Sequence, residues 1–247
     1  MRVLLLVTTA MALAACAGQR HALTPDAAAG LKGRRVVMSG RPPTPVFLTK
    51  PGTSTVVPYG ATGGVVAGAA YGAGAGLMAA AFMSDAGDKM FRESGSSDPA
   101  PVIAVQLSDE LRRRYGVTVE PRTVYFNDDD PTRITSAYPD ADLVLDVWVD
   151  NLNVAPFSQQ KSAKYRLTYS AHVRLIDAKV DHPVDGKKGA VIAHATCVRD
   201  PRETPDAPTF DELLANQGQR LKQDLAESVR DCVDEFRSTV LPAASPH

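Results

Sequence analysis

The 247 residues carry 27 Lys and Arg against 28 Asp and Glu, a formal charge of −1 at neutral pH. No basic stripe of the kind nucleic acid selects stands out, so nucleic acid is excluded as a partner. Aromatic residues are 6% with a single Trp, so the core must rest on Val, Leu, Ile and Ala, and the length suits one domain with appendages.

The chain opens Met1-Arg2, runs apolar from Val3 to Ala15 and reaches Cys16. A short basic start, an apolar run and small residues before a cut form a secretory signal over 1–15. The run is shorter than the roughly 20 apolar residues of a spanning helix. Leu13-Ala14-Ala15-Cys16 resembles the lipobox of bacterial lipoproteins. That resemblance implies an acylated Cys16 at the mature N-terminus and, with Ala17 rather than Asp next to it, sorting to the outer membrane, periplasmic side. Loss of Arg2 with the leader leaves 26 basic against 28 acidic side chains, a charge of −2.

Residues 16–31 read as a tether, and 32–58 as a first strand around Val36-Val37-Met38 followed by a proline-rich loop. The segment 59–92 is a Gly/Ala-rich insertion. Gly60, Gly64, Gly68, Gly72 and Gly76 recur every four residues, with no charge between Lys50 and Asp85. On a helix this spacing makes one stripe that admits close backbone contact. A helix over 61–82 would be about 33 Å long, near the apolar thickness of a bilayer. Three readings stay open: a membrane-inserting or oligomer-forming zipper, a helical hairpin packed on its own domain, and a Gly/Ala loop.

Residues 93–241 predict the main domain, with a tail over 242–247. Asp98-Pro99 supplies an N-cap and an N1 proline, and Ile103, Leu107 and Leu111 form an apolar helix face that Gly116 ends. Val117 to Val119 reads as a short strand. Residues 120–140 read as irregular, with Asp128, Asp129 and Asp130 a solvated turn rather than a calcium loop. Three alternating strands follow, on Leu143 to Val149, Tyr165 to Leu175 and Val191 to Cys197, the last two joined across Asp185-Gly186. Thr209 to Glu212 is a capping box, and Leu214, Gly218, Leu221, Leu225, Val229, Cys232, Phe236 and Val240 continue at helical spacing. Cys197 and Cys232 lie on the apolar faces of their elements and read as a disulfide in an oxidising compartment.

The fold class expected is α+β: a mixed, mainly antiparallel sheet of four to five strands with two helices on one face, plus the Gly/Ala-rich helical insertion. Ala141 to Val147, the alternating strands and the last helix resemble the small α/β domain of TolB (its N-terminal part) and of YajG-, LpoB- and CsgG-like lipoproteins. TraT lipoproteins are similar in joining a lipobox to a glycine-rich apolar segment. With simple hairpins, Asp146, His172 and His194 line up on the sheet face away from the helices, beside a row with Trp148, Ser170 and Thr196. Trp148 flanked by Asp146 and Asp150 suits a partner anchor. No phosphate loop, nucleophile elbow or zinc-helix motif is present, and neither a cofactor nor a metal is expected.

The functional expectation is a non-catalytic, lipid-anchored binding or assembly factor of the outer membrane. It contacts the membrane through its lipid and an envelope protein partner or further copies of itself. Two alternatives accompany it: an oligomeric pore, secretion or surface-exclusion component using the zipper, and an envelope metal-binding protein or enzyme using Asp146, His172 and His194.

Overall fold

The computed structural model describes residues 20–51, 73–181 and 188–241. In chain order it forms α1 (Pro25–Ala29), β1 (Arg35–Gly40), β2 (Phe47–Leu48), α2 (Ala73–Ser94), α3 (Pro99–Tyr115), β3 (Thr118–Tyr125), α4 (Pro131–Ser136), β4 (Leu143–Pro156), β5 (Tyr165–Asp181), β6 (Lys188–Arg199) and α5 (Phe210–Thr239). The sheet runs β3-β1-β4-β5-β6, with β2 also pairing β4. The long pairs β4–β5 and β5–β6 are antiparallel. The short pairs β1–β3, β1–β4 and β2–β4 are parallel.

The core lies between the sheet and α2, α3 and α5. Leu143, Leu145, Val147 and Val149 of β4 alternate into it and meet Ile103, Leu107 and Leu111 of α3 and Leu221, Val229 and Phe236 of α5. Each such side chain, fully buried, contributes about 1.5–3 kcal/mol. α3 starts where its cap chemistry dictates: the Asp98 carboxylate accepts from the Ala100 N–H, Pro99 has no N–H that needs an acceptor, and Gly116 closes the helix in the left-handed region.

Several elements differ from the sequence expectation. Among the described residues the sheet has six strands. The segment read as tether is largely built into the domain. Leu23 and Leu31 are buried, and His21 exchanges two backbone hydrogen bonds with His194, each 2.9 Å. Residues 120–140 hold a strand and a helix rather than a loop. There Asp130 caps α4 by accepting from the Thr132 N–H, and Asp128 pairs with Arg133 at 2.7 Å. α4 covers one end of the sheet face expected to be open, burying Ile134 and Tyr138 against Val37, Val144 and Ile176.

α5 is not one continuous helix. Ala215 is extended, and Asn216, Gln217 and Gly218 are left-handed. Gly218 sits where α5 touches the end of α2. A Cβ there would lie 2.5 Å from Ser94 Cβ, so glycine permits both the backbone conformation and the approach.

Gly60, Gly64, Gly68 and Gly72 lie outside the described residues, as does Asp185-Gly186. Gly76 falls in α2. The C-terminal part of α2 packs on the domain: Met90 and Phe91 are buried, and the Val46 N–H donates to Asp88 Oδ1 at 2.8 Å. Gly87 lies so near β2 that an added Cβ would meet the Val46 carbonyl oxygen at 1.9 Å. Among the described residues, no helix is long and apolar enough to cross a membrane.

Candidate functional site

Alternation on β4 sends Asp146, Trp148 and Asp150 to the face opposite α3 and α5, as expected. Their neighbours are different. The register pairs Asp146 with Arg174 and Trp148 with His172, then Arg174 with His194 and His172 with Thr196. Both pairings are displaced by two residues from the simple-hairpin reading. β4 runs on to Pro156, and a bulge between Asp150 and Asn153, with Asn151 at φ 56°, absorbs one extra residue. A two-residue slip keeps every side chain on its face and changes every partner.

Asp146 is therefore not a surface carboxylate. It is fully buried and accepts from Arg41 Nε (2.8 Å) and Nη2 (2.7 Å), Arg174 Nε (3.2 Å) and Nη2 (2.6 Å), and Ser39 Oγ (2.6 Å). Burial works against its charge, but the Arg41 and Arg174 guanidiniums and the Ser39 hydroxyl prevail and hold its carboxyl below the usual carboxylate range. The remaining guanidinium donors reach Asp129: Arg41 to its carboxylate at 3.3 Å, Arg174 to its carbonyl at 2.8 Å.

Trp148 lies against this cluster, with the Arg174 and Arg41 guanidinium carbons 4.6 and 5.0 Å from its ring centroid. His172 stacks on it at 4.7 Å and 11°. The His172 ring is fixed at both nitrogens, Nε2 donating to Asp150 (3.1 Å) and Nδ1 meeting Thr196 Oγ1 (2.9 Å). The hydrogen bond from His172 is the main reason the Asp150 carboxyl is held low. His194 stands apart from this group, stacked on His21 at 5.9 Å.

Asp146 is thus removed from the expected partner face, and Asp146, His172 and His194 do not form a ligand set. Among the described residues, no three His, Cys, Asp or Glu side chains gather closely enough to hold a metal ion. Arg41 and Arg174, which organise the site, escaped the sequence reading. Arg174 was signalled only by sharing the His172 alternation, and Arg41 sits 105 residues from Asp146, beyond the reach of any local pattern.

Trp148 forms one wall of a cleft of about 610 Å³, within the usual range for ligand sites. It opens where the chain leaves β1 and crosses to β2 as a proline-rich arc. Its apolar lining comes from Met38, Val147 and Val149 of β1 and β4, from Pro42, Pro43 and Pro45 of the arc, and from Ala100, Ala104 and Val105 of α3. Arg41, Asp98, Asp129, Asp150 and His172 supply its polar groups. Val105 and Val102 remain exposed at 49% and 40%.

The expected disulfide is present. Cys197 of β6 and Cys232 of α5 are bonded with Cα atoms 5.6 Å apart and tie the last helix to an edge strand. Cys16 lies outside the described residues.

A mixed α/β domain with an apolar cleft has the character of a binding module. The family model of LptE, described as lipopolysaccharide-assembly, matches residues 94–231, from the end of α2 into α5. The chain belongs to this family. It is accordingly an outer-membrane lipoprotein, lipid-anchored on the periplasmic side. The likeness to TolB, YajG, LpoB and CsgG proteins is finer than this match reaches.

No curated relative matches the chain. Among solved structures it is similar to CT253 of Chlamydia trachomatis, at 12% identity over 85% of this chain and 98% of that one, TM-score 0.29. It is also similar to a neuraminyllactose-binding hemagglutinin homolog of Helicobacter pylori, at 13% identity over 84% of each chain, TM-score 0.26. Neither likeness is strong enough to carry an argument.

Proposed function

We propose that this protein is a non-catalytic adaptor in lipopolysaccharide assembly. Acyl chains on Cys16 hold it at the outer membrane. Its Trp148 cleft binds lipopolysaccharide, and the domain works beside an envelope protein partner, which for this family is LptD. The observation that carries the reading is the family match over 94–231, which takes in α3, the cleft wall on β4 and most of α5.

The cleft chemistry supports it. Lipopolysaccharide joins acyl chains to an anionic head. Its acyl chains suit the apolar lining that Met38, Val147, Val149, Val105 and the prolines give the cleft.

The test uses the lone tryptophan as reporter. Trp148 emission in the full-length lipidated protein in detergent is followed as lipopolysaccharide is added. A saturable change is expected, and Val105→Glu, an exposed substitution at the cleft wall, should weaken it at least tenfold with the fold intact by circular dichroism. A flat titration, or one that Val105→Glu leaves unmoved, overturns the cleft as the site.

A further inference from the structure

We infer that the Trp148 cleft grips its lipid by one or two acyl chains alone and does not bind the phosphorylated head, so that a neutral single-chain amphiphile also fits it. This rests on the reading that the cleft is a lipid site.

Size sets the number of chains. An apolar cavity of about 150 Å³ holds one benzene, six carbon atoms. The cleft, at about 610 Å³, is roughly four such volumes, room for about 24 carbon atoms, or two chains of twelve. Val105 lines the cleft and stays half exposed, an apolar area that a chain would cover.

Charge decides what stays out. A phosphate needs donors free to turn toward it. Arg41 is the one guanidinium among the described residues that line the cleft. Its side chain is only 8% exposed, with Nε and Nη2 spent on Asp146 and Nη1 on Asp129. The side-chain donors of Trp148 and His172 are committed as well, to Asp150 and Thr196. The accessible charge is acidic: the Asp129 carboxylate is 82% exposed, and Asp98 and Asp150 line the cleft beside it. Even with Arg174 counted, two guanidiniums are outnumbered by the carboxylates of Asp98, Asp129, Asp146 and Asp150. A phosphate placed among them meets like charge, whereas an acyl chain meets Met38, Val147, Val149 and the Trp148 ring. Preference for lipopolysaccharide over other lipids is therefore not set in this cleft, and the head group remains available to the partner that receives the lipid.

Contact quenching of Trp148, the one tryptophan of the chain, tests this. Full-length lipidated protein is kept in digitonin, a detergent without an alkyl chain, and dodecyl maltoside brominated on its chain is added. Saturable quenching is expected. Unbrominated dodecyl maltoside and lipopolysaccharide should relieve it, and fully deacylated lipopolysaccharide that keeps its phosphates should not. Val105→Glu, which puts a charge in the path of the chain, should weaken quenching about tenfold with the fold intact by circular dichroism. At low salt, Asp129→Asn should favour displacement by lipopolysaccharide over displacement by dodecyl maltoside about two- to fivefold, because one like charge is gone. Relief by the deacylated form overturns the inference, as does an unchanged or lower preference for lipopolysaccharide in Asp129→Asn. If lipopolysaccharide changes Trp148 emission but brominated chains never quench it, the inference fails and the functional reading stands. If the chains quench and lipopolysaccharide cannot displace them, the functional reading fails and the acyl-chain site stands.

Discussion

Replacing Asp146 by Asn tests whether the buried ion cluster holds the Trp148 wall in place. The substitution keeps the shape of the side chain and removes its charge. Five hydrogen bonds end on this carboxylate, and its guanidinium partners are themselves only 8% and 13% exposed. Without the carboxylate, two largely desolvated cations face each other. Asp129, 82% exposed, is too well solvated to replace it. Breaking a buried pair by removing one partner costs about 3–5 kcal/mol. With a urea slope near 2 kcal/mol per molar, the midpoint should fall by about 2 M.

The assay is urea unfolding followed by Trp148 emission, a local probe because both guanidiniums lie against its ring. The pH dependence supplies a second check. The Asp146 carboxyl is held below its ordinary value, so its stabilisation is complete above the unfolded pKa near 4 and is lost as pH falls through the lower folded value. The deficit of Asp146→Asn should therefore be full at pH 7 and shrink in acid below about pH 4. A loss under 1 kcal/mol at pH 7 would refute the reasoning.

Two further outcomes are expected. Reducing the Cys197–Cys232 bond, or replacing both residues by Ser, reopens a loop of 35 residues and should cost about 2–4 kcal/mol, read as a fall in thermal midpoint with and without reductant. Gly87→Ala gains about 1 kcal/mol of helix propensity but drives a Cβ into the Val46 carbonyl. It should lose about 1–3 kcal/mol net and expose α2 to limited proteolysis, whereas Gly30→Ala, whose Cβ would make only ordinary contacts, should leave both readouts unchanged.

Local signals carried much of the fold. Asp98-Pro99 and Gly116 bounded α3, Thr209 and Glu212 opened α5 with both halves of the capping box, and alternation located β4, β5 and β6 with their faces. The pairing of Cys197 with Cys232 followed from two apolar faces meeting. Where reading failed, the deciding contact was distant or the pattern was degenerate. Gly218 fits a helical stripe as well as it fits a left-handed turn, and only its approach to Ser94 selects the turn. Leu23 and Leu31 looked like isolated apolar residues in a tether, because Val240, to whose carbonyl Leu23 donates, is more than 200 residues away.

The lipobox needs no tertiary context, since the export machinery reads it as a linear segment. Side-chain alternation likewise settles faces by itself, because its period of two is local. The same period makes it blind to a two-residue slip. The bulge at Asn151 and the true length of β4 decided that slip, and with it the identity of the site. Asp146 passed from an exposed partner contact to the buried carboxylate between Arg41 and Arg174, and Trp148 was left as the wall of the cleft.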